Sequence, residues 1–211
     1  KKGFVILNQA LSPASLELIK KEFHKILNED ISKFSSVDRH NGATCVRFKP
    51  FLTLENSKKY PAISAFYFAP VLKTITKLFY APNHDIEYIS EIFVHETPET
   101  DEPLSGAIHW DRAQTLKFWI YVDDLPEDAG PMLIDPLSVE KNKQVRMTAR
   151  KKNQHLIGGV DNVVETNSAN MISLVARQGS IMIHDTDASH GASPVRPGYT
   201  RRIIRGHCRE K

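Results

Sequence analysis

His109 and Asp111 flank Trp110. On an extended strand, residues two apart point to the same face, so one imidazole and one carboxylate can reach the same metal ion. Alone the pattern is weak, because nine histidines and 25 acidic residues in 211 give about one such triplet by chance. A third ligand comes from the segment Gly179 to Gly191, which reads as a turn, an apolar strand and then His190. Two imidazoles and a carboxylate on one side of a metal leave the opposite positions open, as iron(II) requires to bind a chelating co-substrate and dioxygen. Zinc is more often closed and tetrahedral. His184 follows the same apolar strand and is the rival third ligand; its plain alternative is a strand histidine bonded to its neighbours. Arg201 stands eleven residues beyond His190 and opens the run Arg201-Arg202-Ile203-Ile204-Arg205. A guanidinium there suits the far end of a dicarboxylate, which it can grip through two parallel hydrogen bonds. Adjacent strand residues face opposite sides, so only one of Arg201 and Arg202 can enter the interior.

Strands must carry these residues, and the pattern supplies them in the last two thirds of the chain. From Asp85 onward short β-rich runs alternate with turn residues: Ile86 to Val94, Leu116 to Val122, Met132 to Ile134, Met171 to Val175, Ser180 to Ile183 and Arg202 to Ile204. Asp123 to Pro131 is a turn and Arg177-Gln178-Gly179 a tighter one. Within Leu116 to Val122, Lys117, Trp119 and Tyr121 share one face and Phe118, Ile120 and Val122 the other. One set lines a barrel and the other meets helices; Trp119 reads as plain core rather than a substrate platform.

The first third reads as mostly helical. A short strand at Phe4 to Leu7 precedes Ser12 and Pro13, a cap and a first-turn residue, after which Leu16, Ile19, Phe23, Ile26 and Leu27 fall at helical spacing. Ile63, Phe66, Val71, Leu72, Ile75, Leu78 and Phe79 repeat the pattern, interrupted at Pro70. Between Val139 and Asn170 lies a long polar segment with a basic helical piece near Lys141 to Lys152, suited to a lid or binding loop. Its cluster Arg146, Arg150, Lys151 and Lys152 reads as a solvated face. Helices followed by many short antiparallel strands predict a mainly β jelly roll, or cupin-like double-stranded β-helix, with flanking helices. The expected organisation is one domain over 1–211, with a helical buttress over about 1–84 and the barrel over about 85–211.

Composition excludes little beyond the extremes. Hydrophobic residues at 41% and charged residues at 25% match folded soluble domains rather than disorder or fibres. Twenty-eight basic against 25 acidic residues is no nucleic-acid or membrane signature. Cys45 and Cys208 form no CxxC pair, which excludes a zinc knuckle and predicts reduced thiols in a cytoplasmic protein. The opening run is too short and too quickly polar for a signal sequence. Oligomeric state is not readable.

Taken together, these motifs resemble the phytanoyl-CoA dioxygenase-like (PhyH) branch of iron(II)/2-oxoglutarate oxygenases along nearly the whole chain. The resemblance rests on Gly3 to Leu7 with Leu11-Ser12-Pro13, on His109-Trp110-Asp111, and on Leu116 to Asp124 leading into Ala129-Gly130-Pro131. Gly179 to Asp185 before His190 and Arg201 completes it. It implies that His109, Asp111 and His190 are the catalytic iron ligands. It also implies that Arg201 binds the far carboxylate of 2-oxoglutarate, with Ser193 and Lys117 as further co-substrate contacts. Ser193 stands one place beyond the family's usual serine, which here is Ala192. The retained acid at Asp111 distinguishes the chain from related halogenases. The implied reaction consumes dioxygen and 2-oxoglutarate, releases succinate and hydroxylates a small molecule. Two alternatives are a non-catalytic cupin-like binding protein and a prolyl-hydroxylase-like enzyme acting on a peptide. The latter usually carries its basic residue ten places after the histidine, where this chain has Thr200. Nucleic-acid demethylation lacks both a second arginine at that family's spacing and a basic stripe.

Overall fold

The computed structural model describes residues 2–28, 36–40, 42–49, 51, 53–82, 84–100, 108–111, 113–151, 161–163 and 170–210, with side chains at all but 36–40, 150–151 and 161–163. The chain runs β1 (Phe4–Leu7), α1 (Pro13–Leu27), β2 (Ser36–His40), β3 (Ala43–Phe48), α2 (Leu54–Lys59), α3 (Pro61–Phe68), α4 (Pro70–Phe79) and β4 (Ile86–Thr97). It continues through β5 (His109–Asp111), β6 (Thr115–Tyr121), β7 (Met132–Asp135), α5 (Val139–Lys151), β8 (Asp161–Val163), β9 (Ile172–Leu174), β10 (Ile181–Asp185), β11 (Ser189–Ala192) and β12 (Arg201–Glu210).

Local chemistry accounts for the helices. The Ser12 hydroxyl accepts from Ser15 N and Pro13 opens α1, whose buried face is Leu16, Ile19, Phe23 and Ile26. The predicted break at Pro70 separates α3 from α4, with Ala69 extended at ψ 128 because a residue before proline avoids the helical region. Glu22 of α1 caps α3 from outside, its two oxygens accepting from Ala62 N and Ile63 N at 2.8 Å each.

Two antiparallel sheets form the β-helix. The larger has the order β1-β10-β6-β12-β4-β3-β2 and the smaller β8-β5-β11-β7-β9. β6 shows how the larger sheet is two-faced. Leu116, Phe118 and Ile120 join Phe23, Ile63, Tyr67, Leu72 and Ile204 in the layer under the helices. Trp119 and Tyr121 join Met132, Ile134, Leu174, Met182 and Ile203 between the sheets. The set containing Lys117, Trp119 and Tyr121 is therefore the one inside the barrel, and Trp119 belongs to its core at 5% exposure.

The first third is less helical than its periodicity predicts. Besides β1, which pairs with β10, the hairpin β2–β3 extends the larger sheet beside β4. Ser36 to His40 carries no apolar alternation, so no pattern marks it. β12 likewise runs to Glu210 instead of stopping at Ile204, because the residues it turns inward after Ile203 are Arg205 and His207 rather than aliphatic ones. Among the described residues no single helix is long and apolar enough to cross a membrane.

Candidate metal centre

β5 and β11 are neighbours in the smaller sheet, and His109 and His190 are direct cross-strand partners. Asp111 shares the face of His109, as the spacing predicts. His190 Nε2 stands 3.5 Å and His109 Nε2 3.9 Å from Asp111 Oδ1, and the three donor atoms lie mutually within 4.8 Å. Donors bound to one first-row ion at about 2.1 Å stand about 3 Å apart when adjacent, so small side-chain rotations suffice to close on a metal. His190 Nδ1 is 2.8 Å from the Ala188 carbonyl; donation there leaves Nε2 as the atom able to bind a metal.

Lys117, opposite on β6, places its ammonium 2.8 Å from Asp111 Oδ2. The carboxylate is thereby divided, one oxygen toward the histidines and one on lysine. Burial pushes the Asp111 carboxyl up, but Lys117 and then His190 outweigh it and hold it well below the usual carboxylate range. Burial, then Lys117, lowers the His190 imidazole to about 3. At neutral pH the centre therefore offers an ionised carboxylate and, at His190, an unprotonated ring nitrogen.

Arg201 and Arg202 separate as strand alternation requires. Arg202 is on the outside, paired with Glu96 Oε2 at 2.6 Å and Asp123 Oδ2 at 2.9 Å. Arg201 is inside at 8% exposure; its Nη1 donates to the Gly130 carbonyl at 2.9 Å, and among the described residues its Nε has no hydrogen-bond partner. Burial lowers its guanidinium to about 10, so it remains a cation. Gly130 has φ +72, and a side chain there would put its Cβ 2.6 Å from Val195; the turn that anchors Arg201 thus needs glycine. Ser193 is half-buried, and its N–H donates to the Pro131 carbonyl at 2.9 Å, which puts it near the Arg201 anchor. Lys117, by contrast, is beside Asp111.

His184 is not in the donor cluster. It is fully buried, and its ring lies edge to face against that of His190 at 4.4 Å.

Arg146 corrects the expectation of a solvated basic face. It is 4% exposed, donates from Nε to Asp187 Oδ1 at 2.9 Å and from Nη2 to the Asp111 carbonyl at 2.8 Å, and lies over the Trp110 ring at 4.9 Å. α5 is therefore a clamp on the His109-Trp110-Asp111 strand. The side chains of Arg150, Lys151 and Lys152, and residues 152–160 and 164–169 of the expected lid, lie outside the described residues. A second cluster, around the buried carboxylate of Glu91, also escapes sequence reasoning: Glu91 is bound by Arg47 Nε at 2.7 Å, by Arg209 and by His207 Nδ1 at 3.3 Å. Its members sit on three strands, and only their inward parity hints at it.

A family model described as phytanoyl-CoA dioxygenase (PhyH) matches residues 1–203. The chain belongs to the PhyH family. It is accordingly a non-haem iron, 2-oxoglutarate-dependent oxygenase. Among curated protein sequences none matches it. Solved structures of SnoN, HygX and EvdO2 are among those that share the PhyH protein's fold. The epimerase SnoN from nogalamycin biosynthesis, in complex with Fe3+, alpha ketoglutarate and nogalamycin RO, superposes with TM-score 0.68 at 14% identity, over 99% of this chain and 79% of SnoN. HygX from Streptomyces hygroscopicus, with nickel and 2-oxoglutarate, gives 0.64 at 12%, over 100% and 83%; another of its structures adds hygromycin B. EvdO2 from Micromonospora carbonacea var. aurantiaca, with 2-oxoglutarate, gives 0.62 at 14%, over 100% and 87%. The residues of the PhyH protein fit both groups: the two imidazoles and one carboxylate suit a first-row metal with open positions, and the buried Arg201 Nε is an unmet donor of the kind a dicarboxylate answers.

Proposed function

We propose that this PhyH protein hydroxylates a small organic molecule, with His109, Asp111 and His190 holding iron(II) and Arg201 binding the far carboxylate of 2-oxoglutarate. The observation that carries this reading is convergence: three donors from β5 and β11 meet at one point, and a buried arginine of β12 enters the same barrel. Iron(II) and 2-oxoglutarate held by these residues would supply the activation of dioxygen, two electrons coming from the 2-oxo acid, released as succinate and carbon dioxide, and two from the substrate C–H bond. The protein's share is positioning. Lys117 engages Asp111 Oδ2, so Oδ1 is the oxygen that Asp111 would offer a metal. Arg146 and Asp187 fix the strand beneath. Trp119, Tyr121, Met132 and Ile134 pack together as the apolar part of the interior between the sheets. His109 and Asp111 remain partly exposed, at 11% and 15% of their side chains, which leaves the metal approachable by a substrate.

A small-molecule substrate is supported by the fold's use in SnoN and HygX, which hold nogalamycin RO and hygromycin B. Cys45 and Cys208 are not joined in a disulfide, which fits the reducing cytoplasm, and the PhyH domain is read as occupying 1–211. Anaerobic titration with iron(II) and 2-oxoglutarate tests the reading. A visible metal-to-ligand charge-transfer band is expected in wild type and not in His109→Ala or Asp111→Ala, and aerobic succinate release separates an oxygenase from a silent binding protein. A colourless wild type overturns it.

A further inference from the structure

His184 has the side-chain parity of Met182 on β10, which puts it inside the barrel, and it is 0% exposed. Among the described residues neither Nδ1 nor Nε2 of its ring has a hydrogen-bond partner. An imidazole carries at least one N–H donor in every protonation state. A buried donor left unmet suffers the whole loss of hydration with nothing in return, and native proteins rarely tolerate it. A leucine or phenylalanine would fill the space without that loss, as Met182 does two residues before it on the same face. A group outside the polypeptide that meets the ring resolves the conflict.

The surroundings define that group. His184 packs its ring against the ligand His190 at 4.4 Å and 81°. It is the cross-strand partner of Lys117, whose partner on the other side is His207. The mutually close donor set consists of His109, Asp111 and His190 and leaves His184 out, so it is a neighbour of the metal rather than a fourth ligand. Beside an imidazole N–H, a lysine ammonium and a divalent ion, the fitting occupant is an anion rich in oxygen. Arg201 lies toward the other end of the same sheet face: Lys117 faces His207, whereas Tyr121, four residues along β6, faces Ile203, two residues from Arg201.

We infer that His184 is a direct contact of 2-oxoglutarate, its ring N–H donating to the 2-oxo-acid end while Arg201 takes the far carboxylate. This rests on the iron and 2-oxoglutarate reading of the centre. The contact fixes the in-plane orientation of the chelating end, which a single distal arginine leaves free.

The test is anaerobic titration of the iron(II)-loaded protein with 2-oxoglutarate, comparing wild type with His184→Phe, His184→Leu and His184→Gln. Loss of a hydrogen bond to a charged group is expected to raise the half-saturating concentration about ten- to a hundredfold in the Phe and Leu variants and to displace the charge-transfer maximum. Iron affinity, measured without co-substrate, stays within a few-fold. The Gln variant, which restores an N–H donor, recovers part of the affinity. The Leu variant decides the matter if Phe does not fold. Phe or Leu variants that titrate like wild type, with an unshifted band, overturn the inference; so does a Gln variant no better than Leu. A wild type with no band at all instead defeats the underlying reading of the centre.

Discussion

Lys117→Met removes the ammonium from Asp111 while keeping most of the stem. The pair is 2.8 Å long, with side chains 5% and 15% exposed. Removing one partner of a buried pair leaves an uncompensated charge, which costs about 3–5 kcal/mol, or roughly 6–20 °C of melting temperature in a domain of this size. A divalent ion at the centre supplies the missing positive charge. With metal bound the variant should lose only about 1 kcal/mol, the usual cost of a near-isosteric change. The difference of about 2–4 kcal/mol must then appear as metal binding roughly 30- to 700-fold tighter in Lys117→Met than in wild type. Urea melts followed by circular dichroism, in chelator and in saturating nickel(II), measure both stabilities, and calorimetric titration measures the affinity. Equal destabilisation with and without metal would refute the reasoning, since it would mean that ammonium and metal do not share Asp111.

Three further outcomes follow from the geometry. Arg201→Ala should weaken 2-oxoglutarate by about a hundredfold or more, two charge-assisted hydrogen bonds being lost, whereas Arg202→Ala, which breaks half-exposed pairs, should shift stability by about 1 kcal/mol or less; co-substrate titration and melting check each. Arg146→Ala strands the Asp187 carboxylate beneath the metal strand and should destabilise by about 3–5 kcal/mol in urea melts, with Arg146→Lys a poor rescue because lysine lacks the fork that spans Asp187 and the Asp111 carbonyl. Burial pushes the Cys208 thiol up to about 11, so at pH 8 it should resist iodoacetamide in the folded protein and react once denatured, as peptide mass mapping reads directly.

The candidate site, as a cluster of side chains, was legible where it is written in local spacing. His109 and Asp111 two apart, His190 after an apolar strand and Arg201 beyond it are all facts of sequence order, and strand parity reduced the Arg201/Arg202 choice to two outcomes. What remained hidden depends on contacts between remote segments. Arg146 looks solvated in a helix of basic and polar residues, and only the fold brings it to Asp187, 41 positions away. The inward faces of β4 and β12 are polar, with Glu91, Arg205 and His207, so hydrophobic alternation ends before the strand does. β2 has no apolar face to detect; its ladder to β3 is made by the backbone. His184 was visible as a residue, but its buried and unmet ring nitrogens are properties of packing.

Anomalous diffraction at the iron edge, on crystals grown anaerobically with iron(II), tests the central claim most directly. The account predicts one strong peak within about 2.0–2.2 Å of His109 Nε2, one Asp111 oxygen and His190 Nε2. A peak centred instead on the Glu91 and His207 cluster, or a metal bound by Asp111 with His190 turned away, would contradict it.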